Sequence, residues 1–481
     1  MITDLLKEQI IKAMAFEPTE EQVVAVDTFA KFFYSREQFA TMVLRGCAGT
    51  GKTTLAGAIV KVLSALQQNV VLLAPTGRAA KVFSLYSGKE TLTIHRKIYR
   101  QKTFEGTDTA FTLDFNKSKH TLFIIDESSM ISNLGGESIF GSGCLLDDLI
   151  KYVYEEGDHC RILFMGDKAQ LPPVGEDESP ALNHRVLEDY GLDVSVAELN
   201  MVVRQHEKSG ILWNATAIRN HLSYDLPKIR LKGFADVQVV SGSELIESLN
   251  NSYREVGLDE TVVVTRSNKR ANIYNEGIRR TVLDREEKMS GGDMLLVVKN
   301  NYYWTETDPD CKIAFIANGD RAVVKRIRNE HQLYGFTFAD VTLEFPDYDD
   351  YEMTLRVILD TIYSESPALT HEQSDKLYQE VFNDYAMQPN RPAKKRELFD
   401  QVRRDSHFNA LQIKFAYAIT CHKAQGGQWS HVYIDQGYMT EEMMTEDYIH
   451  WLYTAFTRAT DKLYLVNWPK NQQEETTENT L

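Results

Sequence analysis

The run GCAGTGKT, from Gly46 to Thr53, stands between the apolar stretch TMVL and the amphipathic stretch TLAGAIVKVL, and it constrains the chain more than any other feature. Two glycines, a lysine and a hydroxyl residue at these offsets, after a strand and before a helix, form a phosphate-cradling turn. The glycines let the backbone N–H groups of Cys47, Ala48, Gly49, Thr50 and Gly51 curl toward phosphate oxygens. The helix that opens at Lys52, Thr53 and Thr54 adds the positive end of its dipole. In such a loop Lys52 reaches the β and γ phosphates of ATP, and the Thr53 hydroxyl ligates Mg²⁺. A strand, turn and helix of this kind need a parallel sheet to belong to, so the expected fold class is α/β.

The pattern continues. NVVLLAP, TLFIIDESS and RILFMGD read as buried strands, the last two ending in acids, and a parallel sheet gathers its chemistry at such strand ends. Asp126 and Glu127 follow the four apolar residues Leu122 to Ile125. There one carboxylate can hold magnesium through water, and the next can orient and activate the attacking water. A weaker second series, TVVVT, KFAYAITCHKAQGG, HVYIDQ and DKLYLVNW, alternates with helical segments such as DYIHWLYTAFTRA. Between its members, residues 290–410 read as short strands followed by the helix TIYSESPALTHEQSDKLYQEVFNDYA, an insertion with a helical arm at 354–405. Residues 98–120 read as a hairpin with its turn at EGTD.

At 481 residues the chain exceeds one ordinary core, which predicts two large domains. No apolar run spans a bilayer and the N-terminus is amphipathic with acids, so a cytoplasmic location is expected. Five scattered cysteines have neither zinc nor disulfide spacing. The net charge of −16 weighs against a polyanionic partner, yet HRKIYRQK and RSNKRANIYNEGIRR are locally basic, which leaves room for a basic channel on an acidic body. Hydrolysis also needs a cation on the transition state from outside the phosphate loop; Arg204 in NMVVRQ and Arg458 in YTAFTRA are the candidates.

Taken in order, TEEQ, GCAGTGKT, LLAPTGRAAK, TIHRKIY, IIDESS, GDKAQLPPVG, VVRQ, YAITCHKAQGGQW and YTAFTRA resemble the superfamily 1B DNA helicases of the RecD, Dda and Pif groups, from Thr19 to Trp468. The resemblance implies two RecA-like P-loop NTPase domains with ATP and Mg²⁺ between them, a β-hairpin insertion (1B) and an SH3-like β-rich insertion (2B). It places domain 1A at 1–200 with 1B at 98–120, domain 2A at 201–290 and 411–470, and 2B at 291–410. Residues 471–481 are expected as a disordered tail.

By the same resemblance Gln22 recognises adenine, Gln170 links the γ-phosphate to DNA, Arg204 and Arg458 contact the γ-phosphate, and Gly427 belongs to the nucleotide site. Thr53 and Asp126 hold the metal. The implied DNA contacts are Pro75, Thr76, Arg78 and His95 in the first lobe and Thr420, His422 and Lys423 in the second. Phe104, near the hairpin turn, or Phe111 could stack on the first broken base pair or simply pack the hairpin. The implied activity is ATP-driven 5′-to-3′ movement on single-stranded DNA with duplex unwinding. Single strands and single/double-strand junctions are the expected partners of a monomer, with single-strand-binding or replication and repair proteins as further candidates. Two other readings stay open: a helicase subunit of a recombination or repair machine, and a translocase that strips bound proteins without separating strands.

Overall fold

The computed structural model describes residues 2–101, 111–135, 141–155, 157–202, 209–220, 228–306, 311, 313, 315–387 and 395–474. The first eight strands are β1 (Ala40–Gly46), β2 (Asn69–Ala74), β3 (Thr91–Thr93), β4 (Tyr99–Gln101), β5 (Phe111–Leu113), β6 (Thr121–Ile125), β7 (Arg161–Gly166) and β8 (Asp193–Leu199). Six of them form one parallel sheet in the order β3-β2-β6-β7-β1-β8. After Thr121 and the half-buried Arg161, the central strands β6 and β7 are buried apolar residues and glycine, as a sheet covered by helices on both faces requires. Two separate clusters show both faces filled, one around Phe29, Leu55 and Leu163, the other around Phe123, Leu149 and Phe164. β4 and β5 pair antiparallel, Tyr99 opposite Leu113. The turn between them, including Phe104, lies outside the described residues.

β9 (Val237–Val240), β10 (Thr261–Thr265), β16 (Ala418–Thr420), β17 (Trp429–Asp435) and β18 (Ala459–Val466) make a second parallel sheet, ordered β16-β10-β17-β18-β9. The chain leaves it to build a closed barrel from β11 (Met294–Val297), β12 (Arg321–Leu333), β13 (Phe336–Phe345), β14 (Tyr351–Ile358) and β15 (Leu411–Phe415). Closure removes every sheet edge, which lets a small insertion stand without aggregating. Its core is continuous with that of the second sheet, from Leu295 and Val341 to Val264 and Leu452.

Three expectations need correction. The boundary at 411 cuts off β15, which closes the barrel by pairing with β11 and β14, so the insertion extends to 415. The helical arm does not begin at 354, since 354–358 lies in β14. The helix read from Thr361 onward is two pieces, Asp360–Tyr363 and His371–Met387, interrupted around Pro367, which cannot donate to a helix. The second piece and Lys395–Arg403 pack Leu377, Val381 and Val402 on Phe336, Phe338 and Ile358 of the barrel. The start of the expected tail is ordered. Gln472 is buried, its side chain accepts from Gln436 at 3.0 Å, and its carbonyl accepts the Ile229 N–H at 2.8 Å. Residues 475–481 lie outside the described residues.

Candidate functional site

β1, β6 and β7 end side by side, and each delivers one part of the site. From β1 the chain turns at Gly49 (φ +79°) and Gly51 (φ +82°), a backbone region where a side chain is strained. A Cβ on Gly46 would press within 2.8 Å of Thr50 Oγ1. Lys52 opens the helix Lys52–Ala65, and its ammonium donates to the carbonyls of Gly46 at 2.5 Å and Cys47 at 3.0 Å, so it lies across the loop it serves.

β6 delivers Asp126 and Glu127. The Asp126 carboxylate accepts the Glu127 N–H at 2.9 Å. Burial, and secondly the Glu127 charge, raise the Asp126 pKa to about 7. Glu127 itself sits at φ 51°, left-handed backbone that costs a non-glycine residue about 1–3 kcal/mol and clusters at functional sites.

β7 delivers Asp167 and Gln170. Both are buried, and the Gln170 Oε1 has no hydrogen-bond partner among the described residues. Gln22 braces the loop from the side. As the third residue of helix Glu20–Phe33 it completes a capping box with Thr19, and its Nε2 donates to the Thr50 carbonyl at 3.0 Å.

The second lobe closes over these residues. Gln22, Lys52, Thr53, Asp126, Glu127, Gln170 and Arg458 line one cavity of about 640 Å³, in the range of small-molecule sites. Arg458 is buried and held by its own lobe: its guanidinium donates to Thr454 O at 3.0 Å, Gly427 O at 3.1 Å and Thr457 Oγ1 at 3.0 Å. Gly427 does not itself line the cavity but holds Arg458 through its carbonyl, and a Cβ there would strike the Trp429 ring at 2.6 Å. Arg204 lies outside the described residues.

Sequence reading missed the residues that join the lobes. Tyr453, on helix Glu446–Phe456, donates its hydroxyl proton to Asp167 Oδ2 at 2.6 Å and accepts the Ala48 N–H of the phosphate loop at 3.0 Å. Burial, and then the Asp167 charge, push its pKa well above the usual tyrosine value, so it stays a donor. Beside it Thr454 Oγ1 accepts the Leu171 N–H at 2.8 Å, and Gln425 donates to the Leu171 carbonyl at 2.7 Å. Arg219 contacts the Cys47 sulfur; burial, and secondly the Asp167 charge, raise that thiol to about 11, so it stays protonated. In sequence Tyr453 looks like one more core aromatic, because nothing local marks a partner 286 residues away.

The nucleic-acid candidates divide. Thr76 caps helix Gly77–Ser87, directly after Pro75, by accepting the Ala79 N–H. Arg78 crosses the seam, donating to the Gln428 carbonyl with its guanidinium 4.0 Å over the Trp429 ring. Lys423 reaches Asn318 of the barrel, and burial lowers its pKa to about 8. Thr76, Arg78 and Lys423 line one small cleft at the seam, Lys423 and Thr420 an adjoining one, and His422 is exposed beside them. His95 stands apart at the hairpin base near Tyr99, and burial lowers its pKa to about 4.

Two family profiles match in chain order: the AAA domain over residues 18–224 and the UvrD-like helicase C-terminal domain over residues 415–466. Uncharacterized protein R530 of Acanthamoeba polyphaga mimivirus is 24% identical over 90% of this chain and 96% of its own length. The ATP-dependent DNA helicase dda of Enterobacteria phage T4 is 27% identical over 58% of this chain and 60% of its own. The ATP-dependent RecD2 DNA helicase of Deinococcus radiodurans is 30% identical over 32% of this chain and 18% of its own. The chain spans less than two thirds of the length of each of these two helicases. The two profiles lie in order on the two lobes, whose nucleotide motifs meet in one cavity, so the chain carries an AAA domain followed by a UvrD-like helicase C-terminal domain and is similar to ATP-dependent DNA helicases.

Proposed function

We propose that this chain hydrolyses ATP to move 5′-to-3′ along single-stranded DNA and to separate duplexes ahead of it. The observation that carries the reading is the shared cavity. Lys52, Asp126 and Glu127 of one lobe face the same space as Arg458 of the other, so a nucleotide held there binds both lobes and its hydrolysis can change how they meet. Glu127 is the base that orients water, and Arg458 is the cation that meets charge developing on the γ-phosphate.

A divalent cation fits the same end of the cavity. The Asp126 carboxylate is buried against the Glu127 charge with the Thr53 hydroxyl lining the same space, and a cation relieves that repulsion. Mg²⁺ bound by Thr53 and Asp126 would neutralise phosphate charge. Thr76, Arg78 and Lys423 bring a hydroxyl and two cations to the small, mostly apolar cleft at the seam, and such groups suit a sugar–phosphate backbone passing over it.

Strand displacement of 5′-tailed against 3′-tailed duplexes, with and without ATP, tests the whole reading. ATP-dependent release from the 5′-tailed substrate alone is expected. Release from the 3′-tailed substrate would overturn the polarity, and ATP hydrolysis without release from either would favour the nucleoprotein-stripping reading. A Phe104→Ala variant is expected to lose unwinding while keeping DNA-stimulated ATPase.

A further inference from the structure

The barrel carries a second cleft, apart from the nucleotide cavity and the seam. It measures about 360 Å³, and its floor is the outer face of β12, β13 and β14. Arg326 and Arg328 stand two residues apart on β12 and so project to the same face. Thr342 lies opposite Arg326 and Thr354 opposite Thr342, with their hydroxyls paired at 2.9 Å. Trp304 forms the wall, anchored through its indole N–H to the Asn409 carbonyl at 2.9 Å.

Two features separate this cleft from an ordinary charged surface. First, β12 breaks register between Val324 and Arg326 and again between Arg328 and His331. Such irregularities re-aim side chains, and here they bracket the two arginines. Second, neither arginine has an ion pair or hydrogen bond among the described residues. Their neighbours do: Lys325 pairs with Glu344 at 2.6 Å, and Arg356 neutralises Asp340, the one acid in the cleft, at 2.8 Å. Arg328 stands in register opposite Asp340, but Arg356 holds that carboxylate, so on a chain of net charge −16 the two guanidiniums form a local positive exception.

We propose that this cleft binds the phosphodiester backbone of nucleic acid at a point outside the seam between the lobes. The planar forks of Arg326 and Arg328 each grip a phosphate, and the Trp304 ring lies against sugar or base. Because the barrel shares its core with the second lobe, a strand held here moves with that lobe. The inference rests on the reading that the chain handles DNA.

The test is equilibrium binding of the full chain to an oligothymidylate, a blunt duplex and a 5′-tailed duplex, from about 50 to about 200 mM salt. The Arg326→Gln/Arg328→Gln pair should flatten the slope of log K against log salt by about 1.8 on double strands or about 1.4 on single strands. Each single variant should carry half, and the Arg326→Lys/Arg328→Lys pair should keep the slope. Which substrate shows the change assigns the strand. Wild-type binding to all three with slopes that the Gln pair leaves unaltered overturns the cleft alone. Wild type that binds none of them overturns the DNA reading and the cleft with it. Melting temperature and ATPase saturated with a short single strand should stay at wild-type values, since neither arginine touches the seam.

Discussion

Tyr453→Phe removes one oxygen atom and leaves the packing volume almost intact, so it isolates the hydroxyl that ties the lobes. In the wild type this oxygen donates to a buried carboxylate at 2.6 Å and accepts a phosphate-loop amide at 3.0 Å. A hydrogen bond to a charged group contributes about 1.5–3 kcal/mol and a neutral one about 0.5–1.5 kcal/mol. The variant therefore loses about 2–4 kcal/mol of attraction in the closed arrangement, since among the described residues Asp167 keeps only the Ala169 N–H. If nucleotide grips both lobes, that loss is felt as affinity, roughly 30-fold to 1,000-fold in the half-saturating ATP concentration. The unfolding temperature should move little, because each lobe keeps its own core. A double-mutant cycle with Asp167→Asn, read by binding of a fluorescent ATP analogue, should give a coupling of at least about 1 kcal/mol. ATP affinity within threefold of wild type, or strictly additive effects, would refute the argument that the hydroxyl couples the phosphate loop to the second lobe.

Three further outcomes can be measured directly. Glu127→Gln should bind ATP as wild type does and hydrolyse it at a rate near background; retention of most turnover would remove Glu127 from the chemistry. Arg458→Ala should lower kcat by about three orders of magnitude or more with a smaller change in ATP affinity, and a loss under tenfold would contradict its role at the γ-phosphate. Lys423→Gln should flatten the salt slope of single-strand binding by about 0.7, since a pKa of about 8 leaves Lys423 charged at neutral pH. His95→Gln should leave that slope unchanged, because burial holds His95 near 4, below its unfolded value. Folding therefore keeps His95 neutral, and the stability this represents is present above about pH 6.5 and declines as pH falls toward 4.

How legible each part was follows from the range of the interactions behind it. Gly46 to Thr53, the apolar run into Asp126 and the alternation of strands and helices are local patterns, so they could be read from the chain. The barrel was visible as strands, but its closure by β15 was not, because Leu411–Phe415 looks like any buried strand until it pairs with Leu295. The helical arm was misplaced for a related reason: β14 and the arm are consecutive, and only pairing with β13 reveals where one stops. Residues 471–474 read as a polar tail because Gln472 and Ile229, which hold each other, are far apart in sequence.

The sequence by itself determined the chemistry available: a phosphate loop, two acids at a strand end, an arginine late in the chain and the order that marks the family. Tertiary structure alone decided that Arg458 shares a cavity with Lys52, that Tyr453 bridges Asp167 and Ala48, that Arg78 lies on Trp429, and that Arg326 and Arg328 share a cleft. Periodicity and turn chemistry act over a few residues and leave a mark in the sequence, whereas contacts across hundreds of residues exist only once burial has brought the lobes together.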